Sequence, residues 1–119
     1  MTISGDFPHI TNRRITSNGI ELNIAEQGDA DAPLIVMLHG FPESWFSWRH
    51  QFAPLAAAGY HVIAPDMRGY GESDKPSDIS AYNQVEVVND VKGLVAALGY
   101  ETAIVIGHDW GGPTAWSCA

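Results

Sequence analysis

The sequence predicts an α/β fold, in which an antiparallel hairpin lies at the edge of a mostly parallel sheet with helices on both faces. Three short apolar segments carry this prediction, at residues 34–38, 61–64 and 102–106. Each is apolar on nearly every residue, which is the pattern of a strand that is covered on both faces. Helical segments separate the three, and strands that alternate with helices pair in parallel through right-handed crossovers.

The amino-terminal segment predicts the hairpin. Residues 10–17 and 20–27 flank the pair Asn18-Gly19, and both residues of this pair accept the positive φ angles of a two-residue turn. A polar connection, residues 28–33, leads to the first of the buried strands. The hairpin is therefore expected at the antiparallel edge of the sheet.

Two helices are predicted between the buried strands. The first covers residues 45–58 with Ser44 as its N-cap, and Pro54 is expected to kink it or to start a second, shorter helix. The second covers residues 82–98, where valine and leucine repeat at helical spacing, and Gly99 ends it.

A loop, a turn and a last helix complete the chain. Residues 65–81 are rich in glycine, aspartate, serine and proline, and a loop of that length in a compact domain is usually functional or packed upon itself. A sharp turn at residues 107–112 follows the third strand, and a helix is predicted from Pro113 onward.

Composition limits the partners of the protein. Lysine and arginine number 6 against 14 aspartates and glutamates, a formal net charge of −8. A chain this acidic is expected to bind neither nucleic acid nor an anionic membrane. Without a signal-like start or a membrane-spanning apolar stretch, a cytoplasmic location is expected. The single cysteine, Cys118, allows no intrachain disulfide, and no metal-ligand or nucleotide-loop spacing predicts a metal or a cofactor.

The turn at residues 107–112, Gly-His-Asp-Trp-Gly-Gly, is the segment most suited to chemistry. Its glycines allow a strand and a helix to approach closely, so the side chain of Asp109 is exposed at the carboxyl end of the sheet, where open α/β sheets bind ligands. That is the geometry of a nucleophile elbow. The same pattern could also be an ordinary strand-to-helix turn in which Asp109 caps the helix.

An aspartate in an elbow suits attack on a saturated carbon. A carboxylate is ionised at neutral pH, whereas a serine needs a base. Attack on an epoxide or alkyl-halide carbon produces an ester between Asp109 and the substrate. Water then attacks the carbonyl of this ester, and the oxyanion that forms needs N–H donors. These are expected from the backbone of Trp110 and, in the loop after the first buried strand, of Phe41.

Two further motifs favour the catalytic interpretation of the turn. His-Gly-Phe-Pro at residues 39–42 follows the first parallel strand, and Asp-Met-Arg-Gly-Tyr-Gly-Glu-Ser at residues 66–73 follows the second. With the elbow after the third strand, the motifs stand at successive strand ends, an order that chance rarely produces.

The chain resembles the amino-terminal part of an α/β-hydrolase-fold enzyme and, within that superfamily, the soluble epoxide hydrolases. The resemblance lies in residues 39–51 (HGFPESWFSWRHQ), 66–76 (DMRGYGESDKP) and 107–112 (GHDWGG). It implies that Asp109 is the catalytic nucleophile, and that the backbone N–H groups of Phe41 and Trp110 form the oxyanion hole. It also implies that the rings of Phe41 and Trp110 line the substrate pocket, and that the bond between Phe41 and Pro42 is cis.

The resemblance implies hydrolysis of small apolar epoxides to vicinal diols through an aspartyl ester, with water as co-substrate and no cofactor. In such enzymes the catalytic histidine, the second acid and the cap tyrosines follow the elbow. Residues 1–119 are therefore expected to be one incomplete core domain, without the cap domain and carboxyl-terminal strands, and inactive alone. No oligomeric state is predicted.

Two alternatives remain open. Haloalkane dehalogenases share the aspartate and the tryptophan, but usually carry a polar, halide-binding residue where this chain has Phe41. A non-catalytic protein that binds small molecules on the same fold is the other alternative.

Other polar residues of the motifs are expected to be structural. Asp66, Arg68 and Ser73 are predicted to fix the long loop through hydrogen bonds. His39 and His108 lie within motifs and are likewise expected to be structural, and no histidine of the chain is assigned the role of base.

Overall fold

In a computed structural model of the protein, which describes residues 2–4 and 7–118, six strands form one mixed sheet with helices on both faces. The strands are β1 (Thr2–Ser4), β2 (Phe7–Ser17), β3 (Ile20–Gln27), β4 (Leu34–Leu38), β5 (His61–Pro65) and β6 (Ile104–Gly107). The α-helices are α1 (Phe52–Ala57), α2 (Gln84–Ala97) and α3 (Gly111–Cys118). The order across the sheet is β1-β2-β3-β5-β4-β6.

The sheet has an antiparallel and a parallel part. β4 lies between β5 and β6 and is parallel to both, whereas β3 is antiparallel to β2 and to β5. The predicted α/β fold class with its amino-terminal antiparallel hairpin is thus confirmed. Because β4 and β6 are parallel neighbours, the loops that follow them meet at one edge of the sheet.

The hairpin turn has the predicted geometry. Asn18 and Gly19 have φ angles of 51° and 78°, as a two-residue turn between twisted strands requires. Ser17 and Ile20 are the last registered pair before the turn. β2 begins at Phe7, three residues before the predicted start at residue 10.

The core lies on both faces of β4, because successive side chains of a strand point to opposite faces. Val36 and Leu38 pack in the cluster that includes Leu94 of α2. Ile35 and Met37 pack in the other, which includes Phe52 of α1. All five residues of β4 are buried, as the uninterrupted apolar sequence predicted.

The third predicted strand is shorter and less buried than expected. It was predicted as a buried strand over residues 102–106, but β6 runs from Ile104 to Gly107. Ile104 is 48% exposed, and the other residues of β6 are partly buried. The prediction of burial is wrong because β6 is the last strand of the described sheet and pairs with β4 alone.

The predicted helix over residues 45–58 is divided in two. A 3-10 helix spans Trp45–Trp48, and the Ser44 hydroxyl caps it by accepting the Phe46 N–H at 3.3 Å. α1 then begins at Phe52, two residues before Pro54. Pro54 therefore lies in the first turn of α1, where a missing N–H breaks no helical hydrogen bond.

The other two helices also begin at positions that differ from the prediction. α2 starts at Gln84 instead of residue 82, because Asn83 is its N-cap and accepts the Glu86 N–H at 3.0 Å. α3 starts at Gly111, two residues before Pro113. In the part of the chain that the structure describes, none of the helices combines the length and the apolar character that crossing a bilayer requires.

Candidate active site

The elbow between β6 and α3 is a tight turn with a glycine at each end, Gly107 and Gly111, where a Cβ atom would clash with the backbone. A Cβ atom at Gly107 would lie 2.2 Å from the carbonyl oxygen of Gly111, and one at Gly111 would lie 2.3 Å from that of Leu38. Between these glycines Asp109 has a φ angle of 56°, a left-handed conformation that costs a residue with a Cβ atom about 1–2 kcal/mol. The turn therefore holds Asp109 in a strained position.

The carboxylate of Asp109 faces the loop that follows β4. Asp109 is exposed, and its Oδ2 atom accepts the Phe41 N–H at 3.1 Å. Gly40 permits this approach, since a Cβ atom there would lie 2.4 Å from the Cβ and 2.8 Å from the Oδ2 of Asp109. Oδ1 accepts no hydrogen bond from any residue that the structure describes.

This contact argues against the alternative in which Asp109 is a helix cap. The first N–H groups of α3 bond to backbone carbonyls: Gly111 donates to His108 at 2.9 Å, and Gly112 donates to Asp109 at 3.0 Å. Within the described residues, the one hydrogen bond of the Asp109 side chain is the one to Phe41. The carboxylate is thus oriented by the loop that follows β4, and it does not cap α3.

The structure brings the three sequence-predicted site residues together. Phe41 and Trp110 are 61% and 69% exposed; the backbone N–H of Phe41 contacts the Asp109 carboxylate, and Trp110 follows Asp109 directly in the chain. The backbone N–H of Trp110 has no acceptor among residues 2–4 and 7–118, so it is free to bind a ligand atom. The bond between Phe41 and Pro42 is cis, as the resemblance implied.

A cavity of about 240 Å³ opens next to the elbow. Gly40, Tyr70, Tyr82 and Trp110 are among its lining residues. Trp110 thus lines it as the resemblance implied, whereas Phe41 does not, and neither does Asp109. It is mostly apolar, which suits a small organic molecule. A larger groove of about 440 Å³ runs along β6 and α2, with Val105 and Cys118 in its wall, but no residue of the turn at 107–112 or of the loop after β4 lines it.

His39 connects the loops that follow β4 and β5. The ring is 2% exposed; Nδ1 lies 2.9 Å from the carbonyl oxygen of Gly40, and Nε2 accepts the Met67 N–H at 2.9 Å. Burial lowers the pKa of the imidazole, against opposing effects of the Gly40 carbonyl and of the Asp66 and Glu43 carboxylates. His39 is therefore buried, neutral and fully hydrogen-bonded, which agrees with its predicted structural role.

Asp66 also connects the loops that follow β4 and β5. Its side chain is buried, and Oδ1 accepts the Trp45 N–H at 2.9 Å. Oδ2 accepts the Glu72 N–H at 2.9 Å and the Asn23 side-chain amide at 3.0 Å. Ser73 donates to the Asp66 carbonyl at 2.6 Å. The prediction that Asp66 and Ser73 fix the long loop is confirmed.

Arg68 fixes the loop through a partner that sequence reasoning missed. Its guanidinium donates two hydrogen bonds of 2.8 Å to the Asp90 carboxylate, and this pairing raises the pKa of Arg68. Both side chains are buried. A signal for Asp90 exists in the sequence, because this carboxylate lies on the helix face that Val91 and Leu94 bury, and buried charges need partners.

Glu43 was also missed as a residue that contacts the site. Its Oε1 atom accepts the Gly40 N–H at 3.1 Å and lies 3.7 Å from the Nδ1 atom of His108. The hydrogen bond with Gly40 is local to the loop after β4, whereas the approach to His108 exists only once β4 and β6 are adjacent, and no sequence pattern indicates it. Among the described residues, no group of histidine, cysteine or acidic side chains is placed to hold a metal ion.

Comparison with known proteins shows the family to which the chain belongs. The family model described as alpha/beta hydrolase fold matches residues 33–119. The AB hydrolase superfamily protein YfhM of Bacillus subtilis is 53% identical over 105 residues, covering 88% of this chain and 37% of the relative. Epoxide hydrolase A of Mycobacterium tuberculosis is 47% identical over 107 residues, covering 90% and 33%.

Solved structures extend the similarity to the fold. The crystal structure of epoxide hydrolase A from Mycobacterium thermoresistibile superimposes with a TM-score of 0.90 at 46% identity, over 92% of this chain and 34% of that one. The chain spans about a third of the length of the curated relatives it matches. The family match, the strand order and the elbow at residues 107–112 together establish that this chain belongs to the α/β-hydrolase fold family.

Proposed function

We propose that this chain is the part of an epoxide hydrolase that supplies the nucleophile, Asp109, and the oxyanion-binding N–H groups of Phe41 and Trp110. One observation carries the proposal: a single oxygen of the exposed Asp109 carboxylate is bound to a backbone N–H, and the other is free. Relatives 46–47% identical to this chain and named epoxide hydrolases support the substrate class.

In the first step the free oxygen attacks. The Phe41 N–H holds Oδ2, so Oδ1 forms the bond to an epoxide carbon while the bond from that carbon to the epoxide oxygen breaks. The product is an ester of Asp109, and the released alkoxide takes up a proton. In the enzymes that the chain resembles, cap tyrosines supply this proton.

In the second step water attacks the ester carbonyl carbon of Asp109. The carbonyl oxygen is then Oδ2, which gains negative charge beside the Phe41 N–H, with the Trp110 N–H as the second donor. Loss of one such donor typically lowers kcat by about 10²- to 10³-fold. Collapse of the intermediate returns the carboxylate and releases the vicinal diol.

The second step needs a base to activate water. His39 is unsuited to this role because both of its nitrogens are engaged away from the elbow. In such enzymes the base is a histidine after the elbow. The 119 residues by themselves are therefore expected to stop at the ester, without turnover.

Trapping of that ester tests the proposal. The chain is incubated with styrene oxide, and its mass is followed by intact-protein mass spectrometry with peptide mapping. We expect an addition equal to one epoxide molecule, located on Asp109. The Asp109→Asn variant should remain unmodified, whereas Asp31→Asn, which removes another exposed aspartate, should react like the parent chain.

Four outcomes would contradict the proposal or the expectations drawn from it. Equal labelling of Asp109 and other carboxylates would show no activation by the elbow, and no labelling of Asp109 would show no nucleophile. Preferential reaction with 2-phenylethyl bromide would instead favour a dehalogenase. Continuous release of diol by the 119 residues would overturn the expectation that the ester persists.

A further inference from the structure

We infer that His39 is a positioning residue for the oxyanion hole: its Nδ1–H orients the peptide between Gly40 and Phe41, whose N–H points at Asp109. The inference rests on the proposed function, in which that N–H binds the developing oxyanion. It assigns to the histidine of the His-Gly-Phe-Pro motif a defined tautomer and a defined hydrogen bond.

The two partners of His39 determine where its proton lies. The Gly40 carbonyl oxygen can only accept a hydrogen bond, so Nδ1, at 2.9 Å, carries the hydrogen. The Met67 N–H can only donate, so Nε2, also at 2.9 Å, is the acceptor. Since the ring is 2% exposed, water does not compete for either nitrogen. The imidazole is thus held as the neutral Nδ1–H tautomer.

The Gly40–Phe41 peptide transmits this orientation to the site. In a planar trans peptide the C=O and N–H groups point in opposite directions, so a fixed carbonyl fixes the direction of the N–H. The Gly40 carbonyl accepts both His39 Nδ1–H at 2.9 Å and the Glu43 N–H at 2.8 Å. On the other side, the Phe41 N–H reaches Asp109 Oδ2 at 3.1 Å.

A continuous chain of hydrogen bonds carries this orientation. It runs from the Met67 N–H through the His39 ring and the Gly40–Phe41 peptide to the Asp109 carboxylate. The two hydrogen bonds of His39 are buried, whereas the one from Phe41 to Asp109 is exposed. His39 therefore acts on the Phe41 N–H by fixing its direction.

The surroundings of His39 explain why the ring stays neutral. Two carboxylates, Asp66 and Glu43, and the Tyr70 ring, whose centroid is 5.0 Å away, face the imidazole. The carboxylates favour protonation, but burial outweighs them and lowers the pKa. A proton on Nε2 would also point at the Met67 N–H, which would set two donors against each other.

Two substitutions separate the donor from the acceptor of His39. His39→Asn keeps an N–H near the position of Nδ1 and can still donate to Gly40, but it lacks an acceptor for Met67. His39→Gln keeps an acceptor near Nε2 for Met67 but cannot reach the Gly40 carbonyl. Both variants lose one hydrogen bond, so a purely structural role predicts similar effects of the two.

The readout is the Phe41 amide in NMR spectra of the ¹⁵N-labelled 119-residue chain. In His39→Gln we expect the amide proton to move upfield and to exchange with solvent about fivefold faster, the factor for losing one hydrogen bond of ordinary strength. In His39→Asn both values should stay near those of the parent chain. Because no epoxide is present, failure of this test is distinguishable from failure of the proposed function.

Equal changes in the two variants, or none in either, would overturn the inference. If neither variant folds, the parent chain decides, because long-range ¹H–¹⁵N correlation spectra of its imidazole distinguish the two tautomers. The Nδ1–H form is expected for His39. A proton found on Nε2 would contradict the proposed chain of hydrogen bonds.

Discussion

β4 and β6 are neighbours with similar sequences and different environments. Val36 of β4 pairs with Val105 of β6, and both strands are rich in isoleucine and valine. β4 has a strand on each side and is buried throughout, whereas β6, the last strand of the described sheet, is partly exposed. An apolar run therefore predicts a strand, but how deeply that strand is buried depends on which other segments pack beside it.

A matched pair of substitutions measures the largest difference between the two strands. Ile35 and Ile104 are registered partners, but Ile35 is 3% exposed and Ile104 is 48% exposed. Ile35→Ala should lower the free energy of unfolding by about 2–5 kcal/mol, because it leaves a cavity in the core. Ile104→Ala should lower it by about 1 kcal/mol or less. Urea denaturation of both variants gives the values.

Equal losses in the two variants would contradict this reading of the strands. They would indicate that in solution β6 is covered as completely as β4, for example by a second copy of the chain. Sedimentation of the parent chain at several concentrations separates that explanation from an error in the predicted magnitudes.

Adjacent glycines of the elbow provide a second, smaller comparison. A Cβ atom at Gly111 would lie 2.3 Å from the Leu38 carbonyl oxygen at the end of β4, whereas one at Gly112 would have no heavy atom within 4 Å. Gly111→Ala should destabilise the chain by about 1–3 kcal/mol or more, because backbone must move. Gly112→Ala should be neutral or stabilising by up to about 1 kcal/mol, since alanine favours the helix.

Thermal unfolding followed by circular dichroism measures both glycine variants. If Gly111→Ala were as stable as the parent chain, the end of β4 would not be in contact with the elbow in solution. That result would also remove the structural basis for placing Phe41 beside Asp109.

The strain at Asp109 provides the smallest expected effect. Asp109→Gly should be more stable than Asp109→Ala by about 1 kcal/mol, because glycine adopts the left-handed conformation without a steric penalty. Asp109→Ala loses the same contact with Phe41 but keeps a Cβ atom at a φ angle of 56°. The difference in melting temperature between these two variants isolates the strain, and no difference would show that the elbow relaxes in solution.

Local sequence signals were sufficient for much of the fold. The Asn18-Gly19 turn and β3–β5 occur close to where residue pattern placed them, because turn chemistry and apolar runs act over a few residues. The division of residues 45–58 into two short helices was not predictable in this way. It depends on contacts such as the Trp45 N–H with Asp66, which come from another loop.

The candidate site likewise has one part that local sequence predicts and another part that depends on distant contacts. The motif at residues 107–112 was enough to locate the exposed, strained Asp109, since glycine spacing encodes the tight turn. The connections that fix the surrounding loops were out of reach: His39 to Met67, and Asp90 to Arg68, join residues 28 and 22 positions apart. Such pairs are chosen by three-dimensional packing, and no local pattern indicates them.

Phe41 and Asp109 lie 68 positions apart in the chain, which couples chemistry to folding. The pair exists only while β4 and β6 are in register, so a partly unfolded molecule has the carboxylate but lacks its partner. If Asp109 reacts with epoxide as proposed, the rate at which it is labelled reports the fraction of molecules in which this pair is formed. The same atom pair thus offers a site-specific measure of local opening, independent of any spectroscopic probe.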